Sequence, residues 1–317
     1  ARTARAVAEG TAHEGKIRRV KRILYPLVKI IAYAGSSAEG YPKEIKIFFF
    51  LFLIDKSEVG EGGLMTIHEY GKDNQKIIVL IHPSVVMWDY FEYIIPLLEG
   101  KFHLIIPALP GYDEKNPKQD FTSIENIAGN LAKWLKSHNI QTVDLLYGCS
   151  MGGSIVLRML AERKITIKNA ICDGGITPYQ LPRIVTRLIA VRDFLMISMG
   201  KIGGLGLLEK AFSTDEYSKE DLKYVARVFK FISYKTIWRT FESCNNYAMP
   251  KNIPAYGGRL QYWYGDKETK DRAWDIKYIN ANFPGTELIE LKDMGHASMA
   301  GLHAQEMAER LETLIER

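Results

Sequence analysis

Four short apolar runs, each rich in β-branched or aliphatic residues, recur along the chain: KIIVLIHP at 76–83, HLIIPALPGYD at 103–113, TVDLLYG at 142–148 and NAICDGG at 169–175. Runs of this length, bounded by Gly, Pro or Asp, read as buried strands. Segments of helical period lie between them. DYFEYIIPLLEG suits a short helix, and Thr122 with Glu125 offers a capping box for a helix carrying Ile124, Ile127, Ala128, Leu131 and Leu135 on one side. Ile155, Val156, Met159 and Leu160 continue another helix just after Ser150. Strands alternating with helices imply βαβ units, a parallel sheet and right-handed crossovers.

The pattern changes after residue 176. ITPYQLPRIVTRLIAVRDFLMISMG and SKEDLKYVARVFKFISYKTIWRTFESC are helical throughout, with GKIGGLG (200–206) as a flexible connection. Strands resume in RLQYWYG and TELIELKD, and GLHAQEMAERLETLIER makes a final amphipathic helix. Residues 177–255 therefore read as a helical insertion between two parts of one sheet, 65–176 and 256–317. With 317 residues, 47% of them hydrophobic, the chain has ample material for a large core.

Residues 1–64 form an atypical N-terminal extension. HEGKIRRVKR followed by ILYPLVKIIAYAG loosely mimics a signal peptide, yet Lys29 interrupts the apolar stretch, and IKIFFFLFLI is too short to span a bilayer. Met65, the first methionine, follows Glu61-Gly62-Gly63-Leu64, and one coding sequence for that stretch contains a purine-rich ribosome-binding site. The expectation is a native start at Met65, with 1–64 a translated leader or appended arm; a membrane role depends on that arm being genuine. The net charge of +5 is concentrated near the N-terminus and no sustained basic face appears, which argues against nucleic acid as a partner. Cys149, Cys172 and Cys244 have neither metal-ligand spacing nor a disulfide pattern, so a reducing, cytoplasmic setting is expected, with no metal and no cofactor.

Chemistry concentrates in LLYGCSMGGSI (145–155). Gly148-Cys149-Ser150-Met151-Gly152 matches G-x-S-x-G, in which a strand turns sharply into a helix and the bend projects the serine hydroxyl. The motif alone is short. The apolar strand before it and the helical period after it are the context it requires.

With that context the chain resembles the α/β-hydrolase fold family over essentially all of 65–317. The resemblance implies a mostly parallel central sheet flanked by helices, with a helical cap inserted after the strand ending near Gly175. It also implies a nucleophile, acid, histidine order: Ser150, then Asp266 in YWYGDKE, then His296 in KDMGHAS. A serine hydroxyl is a poor nucleophile until an imidazole takes its proton, and a carboxylate must hold that imidazole in the right tautomer. Asp173, at the end of the strand after the nucleophile helix, is the rival acid; Asp293 is too near His296 along the chain. The oxyanion hole is expected from the backbone N–H groups of Met151 and Ser84, because IHPSVVMWDYF resembles the family's His-Gly loop with Pro83 in place of glycine, and proline has no N–H. His82 is then a loop-shaping residue rather than a second base.

The implied activity is cofactor-independent hydrolysis of an ester, thioester or other activated carbonyl through an acyl-enzyme, with carbon–carbon bond hydrolysis within the family's reach. Dehalogenase and epoxide hydrolase chemistry is disfavoured, since those relatives carry an aspartate where Ser150 stands. An acyltransferase, a peroxide-using relative or a non-hydrolytic ligand-binding protein could share the same triad. Phe194, Met196, Met199, Phe229, Phe231, Trp238 and Phe241 crowd the cap, which suits a small-molecule substrate with an apolar acyl or alkyl part, although a helical cap needs such residues for its own packing. Arg183 and Arg187, four apart, suit either a substrate carboxylate or a solvated face.

Overall fold

The computed structural model describes residues 65–178, 181–211 and 218–317, so the leader, signal and membrane readings of 1–64 lie outside the described residues. Among the described residues, seven strands form one sheet in the order β1-β3-β2-β4-β5-β6-β7. They are β1 (Thr66–Tyr70), β2 (Ile77–Ile81), β3 (His103–Ala108), β4 (Thr142–Cys149), β5 (Thr166–Asp173), β6 (Arg259–Gly265) and β7 (Glu287–Leu291). Only the β1–β3 pair is antiparallel; the five other pairings are parallel. The four early apolar runs become β2 to β5, as their composition requires.

Side-chain alternation divides the strands between two cores. Val79, Ile81, Ile105, Leu146, Ala170 and Cys172 join one apolar cluster, whereas Ile78, Leu80, Leu104, Ile106, Leu145, Tyr147 and Ile171 join the other. Helices cover both faces, which a parallel sheet needs to bury its continuous apolar strands. The first cluster takes in α2 (Ile124–Ser137) and α3 (Met151–Glu162), with Ile279 from α7 (Thr269–Asn282). The second takes in the short α1 (Ile95–Leu98), α8 (Ser298–Leu302) and α9 (Ala304–Glu316). Cys149, Cys172 and Cys244 are buried and unpaired.

Local expectations needed three corrections. DYFEYIIPLLEG divides into a 3-10 turn (Trp88–Phe91) and α1, because Pro96 favours a fresh helix start. The cap of α2 is Ser123, whose hydroxyl accepts from Asn126 N–H at 3.1 Å, and Glu125 is drawn away to Ala248 N–H at 2.6 Å. GKIGGLG is not a connection: the helix α4 (Arg183–Ala211) runs through it, kinked at Gly204, where φ is 55°.

Between β5 and β6 stand α4, α5 (Lys219–Phe231) and α6 (Tyr234–Asn246). Phe194, Phe229 and Trp238 are buried in the same apolar cluster as Met87 and Met151, while Met196 and Met199 face outward. Arg183 is exposed and Arg187 half-buried. Among the described residues, no helix is long and apolar enough to cross a membrane.

Candidate active site

Strand order fixes where a site can form. The chain moves from β2 to β3 on one side and then returns to place β4 on the other side of β2. Ligands of open parallel sheets bind beyond the carboxyl ends of the strands at such a reversal. The register pairs Ile81 with Gly148, so the loop beginning His82-Pro83-Ser84 starts beside Cys149-Ser150-Met151.

Ser150 occupies the bend between β4 and α3 with φ 51° and ψ −113°, a conformation rare for a residue with a side chain. Its N–H donates to the Asp173 carbonyl at 2.7 Å, which ties the bend to β5. Close packing demands the glycine two residues later: a Cβ on Gly152 would collide with the Ile81 carbonyl and stand 3.0 Å from that of His82. Met151, the first residue of α3, has an N–H with no carbonyl one turn before it to bond. Ser84 stands half-buried on the neighbouring loop.

The Ser150 hydroxyl lies 2.9 Å from His296 Nε2. His296 Nδ1 lies 2.8 Å from Glu268 Oε2, so hydroxyl, imidazole and carboxylate form one continuous chain. Gly174 makes room for the ring, since a Cβ there would stand 3.0 Å from His296 Cε1 and Nδ1. The carboxylate that meets the imidazole is therefore Glu268 and not the expected Asp266. After β6 the chain enters a 3-10 turn, Asp266–Glu268, and the second residue beyond Asp266 is the one turned inward. Asp266 is exposed and accepts the Asp293 N–H at 3.0 Å, so it holds the loop that carries His296 rather than the ring itself.

Glu268 is buried, which by itself raises a carboxyl pKa. The His296 hydrogen bond, the Arg272 guanidinium 3.3 Å away and the Gly265 N–H outweigh burial and hold it below its usual value. Glu268 falls four residues before Arg272, but that spacing is shared by ordinary helix-surface pairs and does not single out this acid in the sequence.

Asp173, the rival acid, is buried at the end of β5 and accepts the Tyr147 hydroxyl at 2.5 Å. Burial pushes its pKa up to about 6; the Glu268 charge adds to this, while the Tyr147 hydrogen bond and His296 oppose it. His82 is fully buried. Its Nδ1 lies 2.7 Å from the Pro83 carbonyl and its Nε2 receives the Leu109 N–H at 3.3 Å, so both nitrogens serve backbone groups. Burial pushes its pKa down to about 4, leaving a neutral ring that joins the loops after β2 and β3.

Residues 78–310 match the sequence model of the alpha/beta hydrolase family. The uncharacterized hydrolase YNR064C of Saccharomyces cerevisiae is 30% identical over 107 residues, which cover 32% of this chain and 37% of that protein's length. An alpha/beta hydrolase family protein from Desulfitobacterium hafniense superposes with a TM-score of 0.64 at 20% identity, covering 79% of this chain and 100% of the other. Bromoperoxidase from Bacillus anthracis gives 0.63 at 19% identity, covering 80% and 95%. An esterase from Exiguobacterium antarcticum gives 0.62 at 18%, covering 80% and 96%. At these identities the three structures share a fold with this chain.

Proposed function

Because the chain belongs to the alpha/beta hydrolase family, we propose that it is a serine hydrolase that cleaves an ester, thioester or other activated carbonyl through an acyl-enzyme, with Ser150 as nucleophile, His296 as base and Glu268 as the acid. The observation that carries this reading is the unbroken chain from Ser150 Oγ through His296 to Glu268, with contacts of 2.9 and 2.8 Å.

With Nδ1 protonated and bonded to Glu268, Nε2 is left to accept the Ser150 proton as Oγ forms a bond to the substrate carbonyl carbon. Two electrons move onto the carbonyl oxygen, and the N–H groups of Met151 and Ser84 are assigned to receive that charge. Collapse of the adduct expels the alcohol or thiol, which takes the proton from Nε2. Water then repeats the sequence, giving its proton to His296 and its oxygen to the acyl carbon, and Ser150 is restored.

The substrate is a small molecule with an apolar acyl or alkyl part. Supporting this, Phe194, Phe229 and Trp238 of the inserted helices belong to the same buried cluster as Met151 beside the nucleophile. The three unpaired buried cysteines support a reducing, cytoplasmic setting.

Treatment with a fluorophosphonate probe, read by intact mass, tests the reading. Wild type is expected to gain one adduct and Ser150→Ala none. A folded wild type that stays unlabelled would overturn the assignment in favour of a ligand-binding protein on the same fold.

A further inference from the structure

The loop after β2 carries Ser84, and two of the three residues that follow, Val85 and Met87, are held from outside it. Val85 adopts φ 62°, an outlier for a β-branched residue that persists only where its surroundings impose it. Its backbone sits against the buried Tyr112 hydroxyl, which in turn lies 2.9 Å from Thr240 Oγ1 on α6. Two residues on, the Met87 N–H donates to the Tyr224 hydroxyl of α5 at 2.9 Å. The same hydroxyl donates to the Asp89 carboxylate. Burial and the Asp89 charge push the Tyr224 pKa up, so the phenol keeps its proton and fills both roles at once.

The helix that supplies Tyr224 is itself anchored at both ends. Ser218 and Asp221 close a capping box at its start. At its finish the Lys201 ammonium donates to the carbonyls of Phe229, Lys230 and Ile232 at 2.7 to 2.9 Å. Arg227, one turn after Tyr224, reaches Asp89 at 3.4 Å and Glu114 at 3.3 Å.

We propose that Tyr224 is a positioning residue for the oxyanion loop: by bridging the Met87 N–H and the Asp89 carboxylate, it makes docking of the inserted helix and shaping of the 84–87 backbone one event. The inference rests on the serine-hydrolase reading for its catalytic consequence, but not for its structural one. The tether touches neither substrate nor reacting atoms. It acts through the angle at which the Ser84 N–H meets the developing oxyanion, so it governs the transition state and leaves ground-state binding alone.

The test compares full-length wild type with Tyr224→Phe, Asp89→Ala and Arg227→Ala by two readouts: amide hydrogen exchange of peptides spanning 84–91, and the second-order rate of fluorophosphonate labelling with its pH profile. Tyr224→Phe is expected to speed exchange in 84–91 at least tenfold over peptides from α3. It should slow labelling about 10- to 100-fold, a fraction of what loss of a whole oxyanion donor costs, with the pH profile unmoved. Asp89→Ala carries the same expectations and serves if Tyr224→Phe does not fold. Arg227→Ala keeps both halves of the Tyr224 bridge, to Met87 and to Asp89, and should change labelling less than threefold. Unchanged exchange, labelling within twofold of wild type, or an equal loss in Arg227→Ala would each overturn the proposal. Faster exchange in a protein whose wild type is never labelled would overturn the hydrolase reading and the catalytic role of Tyr224 together, leaving only the structural tether.

Discussion

Exchanging Glu268 for glutamine while exchanging Asp266 for asparagine separates two carboxylates that differ by two positions. Glu268 accepts from His296 Nδ1 at 2.8 Å in a buried setting, with Arg272 at 3.3 Å on the same oxygen. Glutamine keeps the shape but turns an amide N–H₂ or a neutral carbonyl toward the ring. In either case the tautomer with Nδ1 protonated loses its charged partner, and Nε2 spends time protonated and unable to take the serine proton. The corresponding change in a serine-protease triad costs about 10⁴ in kcat, which is about 5.4 kcal/mol of transition-state stabilisation. Asp266→Asn retains an oxygen for the Asp293 N–H, now 3.0 Å away, and perturbs only the anchorage of the histidine loop. Less than a tenfold loss is expected, the scale of one hydrogen bond weakened at the surface. Rates of fluorophosphonate labelling at neutral pH, with thermal melts to confirm folding, give both numbers. A 10⁴-fold loss in Asp266→Asn with Glu268→Gln near wild type would refute the assignment of the acid and the geometry on which it rests.

Four further outcomes follow from particular contacts. Asp173, with its pKa pushed up to about 6 from an ordinary 3.8, holds a proton in the folded state that the unfolded chain has lost, so its ionisation makes stability fall as pH rises between those values. Asp173→Asn should therefore be more stable than wild type at neutral pH, by up to about 3 kcal/mol, with the gain fading below pH 4; a constant difference across the range in denaturant titrations would contradict this. Glu268 works in the opposite sense, since its lowered pKa gives stability that is lost as pH falls through the folded value. Gly152→Ala drives a Cβ against the Ile81 carbonyl and should cost about 1–3 kcal/mol or more, read as a fall in Tm; an unchanged Tm would mean that β2 and α3 are not this close. Lys201→Met removes the cation from three carbonyls at the end of α5 and should cost about 0.5–2 kcal/mol, with faster hydrogen exchange confined to 226–232; uniform exchange would contradict it.

What could be read from the sequence followed from short-range rules. The order of β2 to β5 came from composition, because strands buried on both faces have little freedom in residue type. Ser150 and His296, which lie 2.9 Å apart, stood out in the sequence because one sits in a glycine-spaced bend and the other just beyond the last strand. Glu268 was missed because Asp266 is the first acid after β6, and only the 3-10 turn decides which of the two faces inward. Glycine propensity misled at GKIGGLG, where packing overrides it: a Cβ on Gly200 would stand 2.6 Å from Phe229, so the glycine lets two helices approach. Tyr224 and Asp89 lie 135 residues apart, and nothing local in either segment marks them as partners.

Glu268 and His296 stand 28 positions apart, whereas Ser150 precedes the histidine by 146. A ribosome adding about 5–20 residues per second places the serine roughly 7–30 s before the imidazole that comes to lie against it. Until then the hydroxyl is an ordinary alcohol at the end of an unfinished sheet. On the proposed triad, the growing polypeptide carries its nucleophile without its base for that interval, and the pair can form only once the chain has passed β7.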